Sequence, residues 1–233
     1  MSGGKSMKKA ISLALPLLLT ASAWGLDLAS LSNRDAVSGL KDALTQGSAA
    51  AIAKLGVENG FLGNDKVRIP LPEPIHRVEG GLRMLGLKSQ ADELETTMNR
   101  AAEKAVPEAK PLFVQAIKRM SIEDAKGILT GGDTSATEYF RKATSEDLTR
   151  KFLPIVTEVT HKIGLTEQYD RFAEQGARLG LIDAKQAKIE DYVTQKTLDG
   201  LFLMLAEQEK QIRKDPIGSA TGMARKVFDL LKQ

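Results

Sequence analysis

Residues 198–206 read Leu-Asp-Gly-Leu-Phe-Leu-Met-Leu-Ala, and this stretch decides the fold. A helix of this composition is apolar on nearly every side, so neighbouring helices must surround it. We therefore predict a long central helix over residues 183–212. Gly200 lies inside it, where glycine costs about 1 kcal/mol against alanine. Such a glycine is usually accepted because another helix approaches closely.

Outward from this helix, apolar residues recur at helical spacing along most of the chain, and strand alternation is nearly absent. Two helix starts show a capping-box pattern, Ser121-x-x-Asp124 and Ser135-x-x-Glu138. Glycines at 86, 164 and 180 predict compact joints between helices. The predicted helices are 33–55, 73–85, 89–105, 107–119, 121–129, 134–143, 145–163, 166–178, 183–212 and 218–231. The predicted fold is an all-α, single-domain, multi-helix bundle.

One segment, residues 60–74, departs from the helical pattern. It contains Val67-Arg68-Ile69-Pro70-Leu71-Pro72-Glu73-Pro74, in which every second residue from Pro70 onward is a proline. The residue before a proline is driven towards extended backbone, so this stretch cannot be helical. We interpret it as a short extended arm lying across the bundle. A small hairpin and an exposed partner-binding strand are the alternatives.

The first 23 residues have the organisation of a cleavable signal peptide. Lys5, Lys8 and Lys9 form a basic start, residues 10–19 are largely apolar, and Ala21-Ser22-Ala23 supplies the small residues before a cleavage site. A bilayer span needs about 20 apolar residues, which this run lacks. The sequence thus predicts a leader at 1–23, a helical domain at 24–233 with no transmembrane segment, and a periplasmic location. An uncleaved leader tethering the protein to the inner membrane is the alternative.

Charge and cysteine content exclude several classes of protein. The chain has 33 Lys and Arg against 30 Asp and Glu, and the leader alone contains three lysines and no acid. Its removal leaves no basic excess, which argues against nucleic acid as a partner. There is no cysteine, so the fold contains no disulfide and no thiolate ligand.

Six segments resemble one known family, and they occur in the same order along essentially the whole mature chain. The family is the exported Gram-negative one known as domain of unknown function 4197. The resemblance implies a periplasmic helical protein and brings no activity, cofactor or catalytic residue. The segments are Gly60-Phe61-Leu62-Gly63-Asn64, Arg68-Ile69-Pro70-Leu71-Pro72, Asn99-Arg100-Ala101-Ala102-Glu103, Ile128-Leu129-Thr130-Gly131-Gly132, Ala136-Thr137-Glu138-Tyr139-Phe140 and Tyr192-Val193-Thr194-Gln195-Lys196.

Two polar clusters are candidate ligand-binding sites. Asn99, Arg100 and Glu103 share one helix at i,i+3 and i,i+4 spacing, which predicts a local polar network. It either braces neighbouring helices or, through Arg100, reaches a cleft. Asp133 follows Gly131-Gly132 at a helix start, where backbone amides favour an anion. The simpler interpretation is a glycine joint with an N-cap, because the Asp133 carboxylate repels an anion.

Asp199 stands in the apolar run of the central helix, where a carboxylate is expensive unless it is paired. It is predicted to be buried, either in an ion pair, with Arg83 or Arg100 as candidate partners, or in a ligand site. His76 and His161 lack the spacing of a metal site, and no nucleophile–base motif is present. The sequence accordingly predicts no catalytic residue, no metal and no cofactor.

The absence of catalytic motifs favours a non-catalytic binding or interaction module. Its partner would be a small apolar molecule held in the bundle or a periplasmic protein. The alternative is an enzyme of unrecognised mechanism, which requires Arg100, Asp133, Tyr139, Arg141 and Asp199 to converge in one polar cleft. A chaperone-like role is a third interpretation and needs a large exposed apolar patch. The sequence makes no prediction of oligomeric state.

Overall fold

The computed structural model describes residues 33–73, 88–162, 167, 169 and 188–214. The regular elements of this part are helical, so the all-α prediction is confirmed. A single 3-10 turn, Val106–Glu108, joins the second and third helices. The α-helices are α1 (Asn33–Leu55), α2 (Lys88–Ala105), α3 (Ala109–Arg119), α4 (Ile122–Thr130), α5 (Ser135–His161) and α6 (Ile189–Lys214).

Helix α6 occupies the centre, as predicted, and packs against α5, α1 and α2. Leu198, Leu201, Phe202 and Leu205 are all buried along it. These side chains belong to one hydrophobic core to which every described helix contributes. The remaining part of the predicted central helix, residues 183–187, lies outside the described residues.

The prediction of separate helices at 134–143 and 145–163 is wrong, because α5 is continuous from Ser135 to His161. Thr144 and Ser145 had the composition of a helix start. Their hydroxyls instead donate to the carbonyls of Phe140 and Arg141, four residues earlier (2.7 and 2.6 Å). A hydroxyl bonded backwards in this way continues a helix and does not cap a new one.

One predicted capping box is confirmed and the other is wrong. At the start of α4, the Asp124 amide donates to the Ser121 hydroxyl and the Ser121 amide donates to the Asp124 carboxylate (both 3.0 Å). The second helix start differs, because Thr134 is the N-cap of α5 and forms no side-chain cap. The predicted helices 73–85, 166–178 and 218–231 and the three glycine joints fall essentially outside the described residues.

Residues 56–72, which we call the arm, connect α1 to the chain before α2. Within the described residues the arm contains turns and irregular backbone but no strand, so the hairpin alternative is wrong. Phe61, Val67 and Ile69 are buried in the common core. The arm therefore lies across the bundle, as the proline pattern predicted.

Gly200 is a point of close approach, but the neighbour is the arm and not another helix. A Cβ added to Gly200 would lie 2.7 Å from Phe61 Cε1 and 3.2 Å from Val67 Cβ. Phe61 is fully buried, so its ring has no room to move away. Glycine at this position lets the arm contact the central helix directly.

We expect Gly200→Ala to lower the free energy of unfolding by about 1–2 kcal/mol, because crowding Phe61 outweighs the better helix propensity of alanine. The matched control is Gly127→Ala in α4, where an added Cβ would meet nothing within 4 Å. That variant should gain about 0.5–1 kcal/mol. Urea denaturation of both variants measures the two values. A stabilised Gly200→Ala would contradict the close contact.

Candidate functional site

The first polar cluster, which we call the arm clamp, is built on α2 and holds the arm. Glu103 Oε1 accepts hydrogen bonds from the backbone amides of Phe61 and Leu62 (3.0 and 3.1 Å). Glu103 Oε2 accepts from Arg100 Nη1 (2.6 Å), and its side chain is only 6% exposed. Arg100 also donates to Asn59, which has a φ of 67°. A buried carboxylate thus supplies the acceptors that two arm amides need.

Asn99 and Tyr192 extend the clamp along the arm. Asn99 is fully buried, and its side chain accepts from the Ile69 amide and donates to the Ile69 carbonyl (both 2.9 Å). The predicted contact between Asn99 and Glu103 is absent from the described hydrogen bonds, because Asn99 bonds the arm instead. Tyr192 of α6 donates to the Pro70 carbonyl (3.1 Å). Burial and the nearby carboxylates raise the pKa of Tyr192 to about 12, so its hydroxyl stays a donor at neutral pH.

A second clamp, formed by Glu209 and Arg213 of α6, caps the N-terminus of α5. Glu209 accepts from the backbone amides of Ala136 and Thr137 (both 2.9 Å) and from the Thr137 hydroxyl (2.8 Å). Arg213 donates to Glu209 (3.0 Å) and to the Ile128 carbonyl (2.8 Å). The first amides of a helix need acceptors and favour negative charge. A carboxylate from another helix therefore replaces the side-chain cap that Thr134 lacks.

A concavity of about 550 Å³ lies between α5 and α6, and we call it the α5–α6 groove. The N-terminal turns of α5 form one side of the groove, and α6 forms the other. Its lining residues are Thr134, Thr137, Glu138, Arg141, Asp199, Phe202, Leu203 and Ala206. Because Thr137 is bonded by Glu209, the second clamp fixes the shape of this groove.

Three side chains give the groove its chemistry. Arg141 stacks on Phe202, with its guanidinium carbon 4.4 Å from the ring centroid. Leu203 is 42% exposed and is one of the few large apolar side chains that reach solvent in the described structure. Asp199 is exposed and accepts from Gln195 (3.0 Å). The groove thus combines an apolar surface with one cation, Arg141, and two carboxylates, those of Glu138 and Asp199.

The arm extends this concavity with a second depression of about 180 Å³, which we call the arm shelf. Asp199 and Leu203 border both the groove and the shelf. The other residues that line the shelf are Lys66, Val67, Arg68, Pro70, Lys196 and Gly200. Since the arm clamp holds residues 59–70, it also holds one edge of this continuous surface.

The prediction that Asp199 is buried is wrong. Asp199 and Leu203 are four residues apart and share the solvent-facing side of α6. Arg100, one predicted partner, bonds Glu103, and Arg83 lies outside the described residues. The sequence does not show which side of this helix is exposed, because both the core-facing and the solvent-facing residues of the run are mostly apolar.

The other candidates lie elsewhere. Tyr139 donates to the Ala116 carbonyl (2.8 Å), bracing α5 against α3, and burial raises its pKa. Asp133 is exposed beside Gly131 and Gly132 and lines neither the groove nor the arm shelf. The structure therefore unites Arg141 with Asp199 in the groove and places Asn99, Arg100 and Glu103 in the arm clamp.

The interior offers little space for a ligand in the described part of the chain. A small cavity of about 30 Å³ lies between α1, α4, α5 and α6 and borders Glu209 and Arg213. It has room for about one water molecule. Pockets that hold drug-sized molecules measure roughly 300–1,000 Å³. This cavity is thus too small for the predicted apolar ligand.

His161 ends α5 between Glu167 and Glu190, at 3.5 and 3.4 Å from their carboxylates.

Across the described ranges, no group of three or more histidines and acids has the arrangement that a metal ion needs. No described helix is both long enough and apolar enough to cross a membrane.

The sequence did not identify four residues that shape the site: Glu209, Arg213, Leu203 and Gly200's partner Phe61. The spacing of Glu209 could have indicated its burial, because it lies four residues after Leu205 on the same buried side of α6 as Leu201 and Ile212. An acid at a core position of a helix predicts a buried polar partner. The partner itself, an amide 73 positions away, cannot be predicted from the residues around Glu209.

Comparison with known proteins gives a family and no characterised relative. The model of a family described as "Protein of unknown function (DUF4197)" matches residues 30–229. No curated protein and no solved structure matches the chain.

Proposed function

We propose that this chain, which belongs to the DUF4197 family of proteins of unknown function, is a non-catalytic interaction module that binds an extended segment of a partner protein. The binding site is the α5–α6 groove together with the arm shelf. The observation that carries the proposal is the exposed Leu203 at the junction of the two depressions.

The shape of the site supports a polypeptide over a small molecule. The groove and the shelf form one open surface along α6, whereas a small ligand is normally enclosed over most of its area. An extended peptide uses alternate side chains to fill successive depressions of this kind. Leu203 offers it an apolar anchor, and Arg141 and Asp199 offer flanking charges.

The rigidity of the walls also supports binding. Glu209 holds the α5 wall and Glu103 holds the arm, and both carboxylates are buried. A surface that is ordered before binding loses less conformational entropy when the partner docks. The clamps thus give a reason for burying charge, which by itself contributes little to stability.

The enzyme alternative has less support. It required Arg100, Asp133, Tyr139, Arg141 and Asp199 in one cleft, and only Arg141 and Asp199 border the same groove. Arg100 and Tyr139 each bond a structural partner instead. For the location, we propose export to the periplasm, supported by the leader pattern of residues 1–23.

We expect Leu203→Lys to weaken peptide binding at least tenfold, because it places a charge where an apolar side chain would dock. A peptide display selection against the purified protein supplies the ligand, and fluorescence anisotropy measures its affinity. The substituted lysine lies four residues from both Asp199 and Glu207 on α6, so the fold should tolerate it.

The matched control is Ile122→Lys, at an apolar side chain of α4 that is 48% exposed and does not line the groove. Its affinity should stay within twofold of the unmodified protein. Equal losses in both variants, or no selected peptide at all, would overturn the proposal.

A further inference from the structure

We propose that the segment bound in the α5–α6 groove carries an acidic side chain, which pairs with Arg141, next to an apolar side chain that packs on Leu203. This inference rests on the proposed function and specifies the chemistry of the partner. It follows from the way the charges around the site are satisfied.

Two of the three cations that line the arm shelf are already neutralised, and the third, Lys196, lies over the Tyr192 ring. Lys66 forms an ion pair with Glu207 (2.5 Å), and Arg68 forms one with Glu95 (2.8 Å). A ligand carboxylate at either position would compete with a protein carboxylate. These two residues are therefore poor recognition elements for an acid.

Arg141 differs from both of them. In the part of the chain that the structure describes, its guanidinium forms no ion pair or hydrogen bond, and its contact is the Phe202 ring. This contact leaves the guanidinium N–H groups without a protein acceptor among the described residues. A planar guanidinium of this kind binds a carboxylate through two parallel hydrogen bonds.

The acids of the groove leave Arg141 available. Asp199 accepts from the Gln195 amide, and Glu138 accepts from the Thr134 hydroxyl (3.2 Å). Neither carboxylate lies within 4 Å of Arg141, as an ion pair would require. Asp199 and Glu138 thus each accept from a neutral donor, whereas Arg141 has no acceptor among the described residues.

The position of Arg141 beside Leu203 indicates which two side chains are neighbours in the bound segment. Phe202, on which Arg141 stacks, and Leu203 are adjacent on α6 and border the same groove. A carboxylate held at Arg141 consequently places its neighbouring side chain over Leu203. The expected partner is an extended protein segment in which an acidic residue lies beside an apolar one.

A double-mutant cycle between the protein and a selected peptide tests this inference. Peptides selected against the protein should share an acidic residue, and replacing that residue by its amide should weaken binding about three- to tenfold. In Arg141→Gln the same replacement should change affinity less than twofold. Arg141→Glu should invert the preference, so that a peptide with lysine at that position binds more tightly. Circular dichroism of each variant checks the fold.

The outcomes separate the inference from the proposed function. If Leu203→Lys abolishes binding but Arg141→Gln retains the full preference for the acid, the groove binds a peptide and the role of Arg141 is wrong. If no peptide binds, both fail. Binding of the protein to anionic phosphatidylglycerol vesicles that is lost in Arg141→Gln, or self-association lost in that variant, would replace the peptide with a lipid surface or a second copy and overturn the inference.

Discussion

Glu209→Ala is expected to lower the free energy of unfolding by about 3–5 kcal/mol, the loss typical of removing one partner from a buried charged pair. The substitution deprives the Ala136 and Thr137 amides of their acceptor and leaves Arg213, only 15% exposed, without its carboxylate. The first turn of α5 should fray as a result. Urea denaturation followed by circular dichroism gives the change in free energy.

Glu207→Ala is the matched control, because Glu207 lies on the same helix and pairs with Lys66 at the surface. An exposed ion pair of this kind contributes at most about 1 kcal/mol. Glu209→Gln should fall between the two, since it keeps the shape and one acceptor oxygen. Similar losses for Glu207→Ala and Glu209→Ala would contradict a capping role for Glu209. Loss of the α5 wall should also weaken peptide binding in Glu209→Ala alone.

Glu103→Ala is expected to lower the free energy of unfolding by about 3 kcal/mol, because the buried Phe61 amide and the part-buried Leu62 amide lose their acceptor. The effect should be local as well as global. Amide hydrogen exchange of Phe61 and Leu62 should become faster, while exchange in the middle of α6 should change only as far as global stability does.

Glu58→Ala controls for the charge network, since Glu58 also contacts Arg100 but its side chain is 78% exposed. We expect a change below about 0.5 kcal/mol for this exposed pair. If the Phe61 and Leu62 amides keep their protection in Glu103→Ala, the buried carboxylate does not hold the arm. Other contacts, such as those of Asn99 and Tyr192, would then have to hold the arm at the edge of the shelf.

Sequence patterns predicted the parts of the fold that depend on local spacing. The apolar run at 198–206 identified the central helix, and the proline series identified the arm as extended. Ser121 with Asp124 identified the start of α4, because both partners of a capping box lie within one turn. These features are determined by residues close together in the chain.

Contacts between distant residues were not predicted correctly. The Ser135 pattern looked like a capping box, but the Ser135 and Glu138 amides bond the carbonyls of Gly132 and Thr134. The next amides, of Ala136 and Thr137, bond Glu209 from α6. Gly200 indicated a close approach without indicating that the arm was the neighbour. Asp199 was predicted to be buried because a continuous apolar run does not show which side of a helix faces solvent. Long-range packing decides the neighbours of Gly200, the exposure of Asp199 and the supply of Glu209 to the start of α5.

The candidate site was predicted only in fragments for the same reason. Arg141 and Asp199 were identified as polar residues with binding potential, and the structure places them in one groove. Leu203, the apolar anchor between them, had no signal among its apolar neighbours. Its exposure follows from how α5, α6 and the arm pack, which no single segment specifies.

The most direct test of the proposed function is amide chemical-shift mapping of the isotope-labelled protein during titration with a selected acidic peptide. We predict that the shifts concentrate in residues 134–141 and 196–206, with smaller changes at 66–70 along the arm shelf. They should disappear in Leu203→Lys and persist in Ile122→Lys. Shifts centred on other helices, or none at saturating peptide, would contradict the groove as the binding site.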